Sequence, residues 1–140
     1  MARPPMEVTG AFISAINAGD LTTLRSLMTL DHKFTDARGA TFVGADIMQK
    51  NWELFLKAFP KYWIHIDSGF ADGNRVALFG EVGGKWRVDG QILPDSWKVP
   101  AAFIAEIESD KVRGWSVFCD SSWGTPPEPH PIPALTIVEA

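Results

Sequence analysis

The sequence has few of the residues on which small secreted and metal-binding domains depend. Its 140 residues include one cysteine, Cys119, and three scattered histidines. A single cysteine cannot form an intramolecular disulfide, which excludes the disulfide framework of small secreted domains. The histidines show no ligand spacing, so we predict no metal site. We also expect no cofactor, because the chain has no phosphate-binding glycine loop and no nucleophile elbow.

Clustered positive charge and long apolar runs are missing too. Thirteen Lys and Arg against seventeen Asp and Glu give a formal net charge of −4, whereas binding through nucleic-acid phosphates needs a basic patch. No apolar segment is long enough to span a membrane, and the first residues do not read as a signal peptide. We therefore expect no nucleic-acid partner, no membrane partner and a cytoplasmic location.

The chain is instead rich in bulky apolar side chains. Hydrophobic residues make up 46% of it, with nine Phe and six Trp. A chain of this length suits one domain that buries most of the surface its unfolded form exposes. We assign residues 1–123 to that domain and the proline-rich residues 124–140 to a tail. The surplus of large aromatic residues favours an apolar cavity in addition to a core.

Two helices, a short strand and a third helix are predicted in the first 60 residues. Apolar residues recur at helical spacing over residues 8–16. The motif NAGDL at residues 17–21 then suits the end of this helix and the N-cap of a second one, which we expect to carry apolar residues as far as Met28. Residues 32–36 alternate like a strand. A third amphipathic helix is expected over residues 45–59.

Later segments alternate with the period of β-strands. They cover residues 62–70, 75–83, 96–108 and 111–120, with turn residues between them. Arg87, Val88 and Asp89 fall between two segments, and we interpret them as a loop. The predicted fold is α+β: a curved antiparallel sheet wraps as a cone over three N-terminal helices, in the manner of a cystatin-like α+β barrel.

The passage FTDARG at residues 34–39 is the most informative motif. Together with the NAGDL motif and the order of elements, it resembles the ketosteroid-isomerase and SnoaL-like polyketide-cyclase branches of the nuclear-transport-factor-2-like superfamily. The order of elements agrees over residues 7–120, and individual residues agree in the first third of the chain. The resemblance implies that Asp36 is a general base, which could remove a proton from a carbon next to a carbonyl group.

Alternation along the last two strands, with the register of the isomerases, implies an inward-facing set of residues. Combined with aromatic residues of the helices, the expected pocket residues are Phe12, Phe34, Trp52, Phe55, Phe59, Trp97, Ala101, Phe103, Trp115, Val117 and Cys119. Burial among these rings would make the Asp36 carboxylate a stronger base. The alternative, in which Asp36 caps the turn at residues 37–39 through its side chain, is equally open.

Two hydrogen-bond donors of the isomerases have no counterpart in this chain. The resemblance places Phe12 and Ala101 where those enzymes have the donors of their oxyanion hole, a group that stabilises negative charge in the transition state. The candidate replacement donors are Tyr62, His65, His32 and the indole groups of Trp52, Trp97 and Trp115. Trp52 is the first choice, because the resemblance places it at a position that is Tyr in the isomerases.

Two further branches of the superfamily suggest other chemistry. SnoaL-like cyclases depend on an Asp near the end of the last strand, which the resemblance places close to Asp120. Asp120 faces inward only if a bulge shifts the strand register, and otherwise it caps the turn into Ser121. The limonene-epoxide-hydrolase branch needs an Asp-Arg-Asp set, and Val117 stands at one of its Asp positions, which disfavours that branch.

The sequence therefore predicts a protein that binds a hydrophobic carbonyl compound. The expected activity is that of a cofactor-independent isomerase, cyclase or dehydratase, with Asp36 and, in the shifted register, Asp120 as catalytic acids or bases. The alternative is a non-catalytic ligand-binding or dimerisation module of the same fold. Bulky residues on the predicted outer face of the sheet, among them Trp63, Phe79 and Phe118, favour a homodimer formed through that face.

Overall fold

The computed structural model describes residues 2–126, which fold into helices packed on one six-stranded sheet. The helices are α1 (Pro5–Ala18), α2 (Leu21–Ser26) and α3 (Ala45–Ala58), followed near the end by a 3-10 turn (Ser122–Gly124). The strands are β1 (Met28–Thr35), β2 (Thr41–Val43), β3 (Trp63–Asp72), β4 (Arg75–Val88), β5 (Gln91–Glu108) and β6 (Lys111–Cys119). The proline-rich tail predicted at residues 124–140 lies outside the described residues from 127 onward.

The strand order is β2-β1-β6-β5-β4-β3. The last four strands form the antiparallel meander that the alternation predicts. β1 pairs parallel to β6, with Phe34 opposite Trp115, so the sheet as a whole is mixed. The predicted α+β cone is confirmed, but its sheet stays open, because the edge strands β2 and β3 do not pair with each other.

Two local predictions need correction, and one strand is additional. Helix α2 ends at Ser26 and β1 begins at Met28, because the Val112 amide donates to the Leu27 carbonyl and ties this segment to the start of β6. Arg87 and Val88 belong to β4 and not to a loop. Strand β2, which no pattern predicts, is only three residues long, too short for its alternation to be recognised.

The NAGDL motif has the architectural role expected of it. Gly19 ends α1 in the left-handed conformation, at φ 66°, which glycine adopts without a steric cost. The Asp20 carboxylate caps α2 by accepting a hydrogen bond from Thr23 N at 3.1 Å. The Asn17 side chain donates to Ile64 O at 2.9 Å and accepts from Ile64 N at 2.8 Å. The motif therefore joins two helices and attaches them to β3.

The helices cover the inner face of the sheet and form the core there. The largest fully buried side chains include Trp115, Phe12, Phe59 and Phe103. Phe12 of α1 lies 5.0 Å from Trp115 of β6, measured between ring centroids, and α3 packs mainly on β1. Within the described part of the chain, no helix is both long and apolar enough to cross a membrane.

Candidate active site

A cavity of about 70 Å³ lies between α3, the end of β1, the end of β6 and the segment that follows β6. It is lined by Phe34, Asp36, Ala37, Met48, Asn51, Trp52, Phe55, Tyr62, Val82, Val117, Cys119, Ser121 and Trp123. Most of these side chains are apolar. The polar atoms among them therefore decide what chemistry the cavity can support.

Asp36 lies directly after β1 and is only 6% exposed. Its Oδ1 accepts hydrogen bonds from Arg38 N at 2.9 Å and Ala40 N at 3.0 Å. Oδ2 is buried and has no hydrogen-bond partner among the described residues. One oxygen therefore caps the turn, as the structural alternative proposed, while the other is buried without a partner in a residue that lines the cavity. Buried carboxylate oxygens without a partner are rare, which makes this atom a candidate reactive group.

Donor groups line the same cavity. The indole N–H groups of Trp52 and Trp123 are buried without an acceptor in residues 2–126. The Tyr62 hydroxyl is a further donor, since burial, and secondarily the nearby Cys119, raise the pKa of the Tyr62 phenol well above its usual value and keep it protonated at neutral pH. The residues that line the cavity thus carry one unpaired carboxylate oxygen and several N–H and O–H donors.

Aromatic rings hold one another in place around these polar atoms. Phe55 lies edge-on to Trp52 and to Tyr62, with ring centroids 5.4 and 4.7 Å away. Phe34 also meets Trp52 edge-on, at 6.3 Å. Such pairs prefer edge-to-face geometry because the ring edge is positive and the ring face negative. The cavity walls next to Asp36 are therefore apolar, and their aromatic rings pack against one another.

The predicted pocket residues divide into two groups. Phe34, Trp52, Phe55, Val117 and Cys119 line the cavity, as does the predicted donor Tyr62. The other group does not reach the cavity and is buried in the core: Phe12, Phe59, Trp97, Ala101, Phe103 and Trp115. Trp97, Ala101, Phe103 and Trp115 are on the predicted inner face of the sheet, whereas Phe12 lies in α1 and Phe59 at the end of α3. All six side chains are buried by their neighbours.

The two histidines proposed as donors lie elsewhere. His32 is fully buried, and its Nδ1–H donates to Val112 O, with 2.7 Å between the two atoms. Burial lowers the pKa of this imidazole, which is therefore neutral, and its Nε2 has no partner among the described residues. His65 is exposed and forms a 3.1 Å ion pair with Asp67 when protonated. Neither histidine lines the cavity.

Asp120 also lies outside the cavity lining. No bulge shifts the register of β6 at this end, so Asp120 follows Cys119 on the opposite parity and is exposed. Its Oδ1 accepts a hydrogen bond from Ser122 N at 2.9 Å, and this bond lowers the pKa of the Asp120 carboxyl. The structure therefore corrects its proposed inward position and shows the turn-capping arrangement.

Sequence reasoning missed several lining residues. Met48 and Asn51 lie on the face of α3 that also carries Trp52, while Val82 belongs to β4. Trp123, at the boundary of the predicted tail, was not considered. A lone Trp between Ser122 and Gly124, just beyond the last strand, is a signal that could have identified it, because so large an apolar side chain is seldom left in solvent.

Metal ligands are not gathered at this site. Across residues 2–126, no group of three or more His, Cys, Asp or Glu side chains is placed to hold a metal ion.

Similarity to known proteins agrees with this architecture. The SnoaL-like domain model matches residues 9–115. A protein with a ketosteroid isomerase-like fold from Catenulispora acidiphila, solved with trimethylamine, is 20% identical, with a TM-score of 0.72 over 83% of this chain and 87% of that one. A candidate SnoaL-like polyketide cyclase from Shewanella denitrificans is 16% identical, with a TM-score of 0.75 over 84% and 92% of the two chains.

A cystatin-fold protein from Novosphingobium aromaticivorans is also similar. It is 24% identical, with a TM-score of 0.70 over 84% of this chain and 99% of that one. At these identities the solved structures share the fold. Among curated proteins there is no significant match.

Proposed function

Because the chain belongs to the SnoaL-like domain family, we propose that it acts on a small carbonyl compound bound beside Asp36. The activity would be that of a cofactor-independent isomerase, cyclase or dehydratase. One observation carries this proposal: an unpaired Asp36 Oδ2 and an unpaired Trp52 Nε1–H occur in residues lining one apolar cavity. A base and a hydrogen-bond donor are the two groups that proton abstraction next to a carbonyl requires.

In this mechanism Asp36 Oδ2 takes a proton from the carbon adjacent to the carbonyl group. The electron pair of the broken C–H bond moves to the carbonyl oxygen, which accepts a hydrogen bond from Trp52 Nε1. Return of the proton to another carbon gives an isomer. Its transfer to a departing hydroxyl group gives water and an unsaturated product. Attack of the enolate carbon on a second carbonyl group closes a ring, and the alkoxide formed there takes the proton back from Asp36.

The position of Asp36 supports this role. Two backbone amides donate to Oδ1 and hold the carboxylate in one orientation, and positioning of this kind lowers the entropic part of a barrier. Trp52 would supply the donor that Phe12 and Ala101 cannot. One such donor contributes on the order of 3 kcal/mol of transition-state stabilisation in a site that excludes water.

Asp36→Asn tests the base directly. Asn keeps the shape and its Oδ1 can still accept the two amide hydrogen bonds, but it cannot take the proton. With any carbonyl substrate found by a thermal-shift screen and followed by absorbance, we expect turnover to fall about 10²–10⁴-fold while the dissociation constant changes little.

Trp52→Phe is the matched variant for the donor. It keeps an aromatic ring in the wall and removes the N–H group, so it should lower turnover without emptying the cavity. Unchanged turnover in Asp36→Asn would contradict the proposed base, and unchanged turnover in Trp52→Phe would remove the donor from the mechanism.

A second candidate function is non-catalytic binding of a small alkylammonium ion. Aromatic faces attract such cations, the cavity has an unpaired carboxylate oxygen, and the Catenulispora acidiphila relative was solved with trimethylamine. Calorimetry with choline and its neutral isostere 3,3-dimethylbutanol separates the two functions. Binding of choline alone, weakened in Asp36→Asn, would favour this candidate, whereas binding of ketones and not choline would favour the carbonyl substrate.

The outer face of the sheet carries exposed aromatic residues that suit a homodimer, and we propose that the chain dimerises there. Phe79, Ala102 and Phe118 form a row across β4, β5 and β6, and both phenylalanines are roughly half exposed. Phe70 extends the patch, with its ring 6.0 Å from that of Phe79. Sedimentation should detect a dimer that Phe79→Arg disrupts, and a wild-type protein that stays monomeric at high concentration would contradict the dimer.

A further inference from the structure

We infer that Trp123 sets an upper limit on the size of the substrate, so that the cavity takes compact acyclic carbonyl compounds and excludes ring systems. Among the activities proposed above, this limit favours the isomerase and the dehydratase over the cyclase. This inference rests on the proposed function, because it names the substrate class of the same cavity. It concerns binding, however, and can be tested separately from turnover.

The cavity volume is the first observation. At about 70 Å³, it has about half the volume of the engineered cavity of about 150 Å³ that holds benzene. By that comparison the cavity, which is partly open to solvent, has room for roughly three non-hydrogen atoms, slightly less than the four of acetone. Pockets for drug-sized ligands have volumes of about 300–1,000 Å³. A steroid or a fused-ring polyketide therefore does not fit into the cavity in this conformation.

The position of Trp123 explains why the volume is small. Its indole ring stacks on Trp97 with centroids 3.7 Å apart and an angle of 4° between the planes. It also meets Phe59 edge-on at 4.9 Å and Phe55 at 6.2 Å. The ring thus extends the aromatic cluster of the core into the cavity, where it occupies space next to Phe55.

Because of its backbone contacts, Trp123 is the lining residue whose side chain can be replaced with the least damage to the fold. It belongs to a three-residue 3-10 turn and not to α3 or the sheet. Its carbonyl oxygen accepts a 2.6 Å hydrogen bond from Trp86 Nε1, an anchor that does not depend on the Trp123 side chain. Replacing the side chain should therefore enlarge the cavity while the turn keeps its attachment to β4.

The test uses NMR titration of the full chain with three probes of increasing size: acetone, cyclohexanone and 2-tetralone. We expect the wild type to bind acetone with shifts at cavity residues and to show no saturable binding of 2-tetralone. Trp123→Ala should bind 2-tetralone at least about tenfold more tightly than the wild type, the scale on which lost or added pocket volume changes affinity. Leu30→Ala, at an exposed position of β1, is the control that should keep the wild-type size order.

Equal binding of 2-tetralone by wild type and Trp123→Ala would overturn the inference, and so would binding to neither protein. If Trp123→Ala does not fold, as judged by circular dichroism, Trp123→Leu keeps the test valid with a smaller expected gain. Asp36→Asn separates the two proposals, since it should retain the size order even if no turnover is ever found. If the probes bind in the expected order of size but no turnover is found, the result would contradict the role of Asp36 as a base and leave the role of Trp123 intact.

Discussion

The two ends of the inner sheet face are built from similar residues but differ in how they are filled. Beneath α1, Phe12, His32 and Trp115 are fully buried and the space between them is closed. Beneath α3, the cavity remains next to Asp36 and Trp52. The same two strands supply both ends, since β1 carries His32 before Phe34, and β6 carries Trp115 before Val117. The two ends therefore differ in the helix that covers them: the end beneath α1 is filled core, and the end beneath α3 retains the cavity.

The difference also changes the meaning of buried polar atoms. Both ends contain atoms without partners in residues 2–126: His32 Nε2 and Trp115 Nε1 in the core, Asp36 Oδ2 and Trp52 Nε1 at the cavity. In the core such atoms lower stability, because the lost hydration is not replaced. At the cavity a bound molecule can supply the missing partners, so the same feature becomes a basis for recognition.

The strongest test of this comparison is a pair of Phe→Ala substitutions. Phe12→Ala should lower the free energy of unfolding by about 3–5 kcal/mol, because it empties a closed core position. Phe55→Ala, in a partly buried wall of the cavity, should cost less, about 1–2 kcal/mol. Urea unfolding measures both values, and equal losses would mean that the two ends are packed alike.

A second test uses the dependence of stability on pH. Burial lowers the pKa of His32 in the folded protein. As the pH falls, the imidazole is therefore protonated in the unfolded chain before it is protonated in the folded protein. Stability from this group is therefore present above the unfolded value of about 6.5 and falls as the pH decreases from there toward the folded pKa, by at most about 1.4 kcal/mol for each pH unit.

His32→Gln should remove this part of the pH dependence, whatever its effect at neutral pH. His65→Gln, a substitution at an exposed position, is the matched control for the loss of an imidazole. Urea unfolding at a series of pH values measures the slope, and the same slope in His32→Gln and the wild type would show that His32 is not its source.

The smallest effect is expected at Asp120. Its exposed carboxylate caps Ser122 N, so Asp120→Asn should lower the melting temperature only slightly and leave turnover close to that of the wild type. Asp36→Asn, with the same chemical change, should abolish most of the turnover. A loss of turnover in Asp120→Asn as large as that in Asp36→Asn would show that Asp120 reaches the substrate after all.

Local signals predicted the fold better than they predicted the site. Helices α1 and α3 are predicted because each has a continuous apolar stripe. Asp36 is predicted as the base from the family resemblance, and that role stays a prediction. Alternation, together with the register implied by the resemblance, placed Phe103 and Val117 on the inner face. Alternation predicts only which face of the sheet a side chain lies on. It does not say that Phe103 is in the closed core while Val117 lines the cavity.

The sequence by itself determined the order of the three helices and of the strands other than β2, the caps at Gly19 and Asp20, and the apolar face of β5. These features depend on backbone preferences and on residues close together in the chain. Only the tertiary structure decided that a cavity remains under α3, that Trp123 closes part of it, and that Asp36 Oδ2 lacks a partner among residues 2–126. Cavity volume and hydrogen-bond partners depend on contacts between residues far apart in sequence, which no local pattern records.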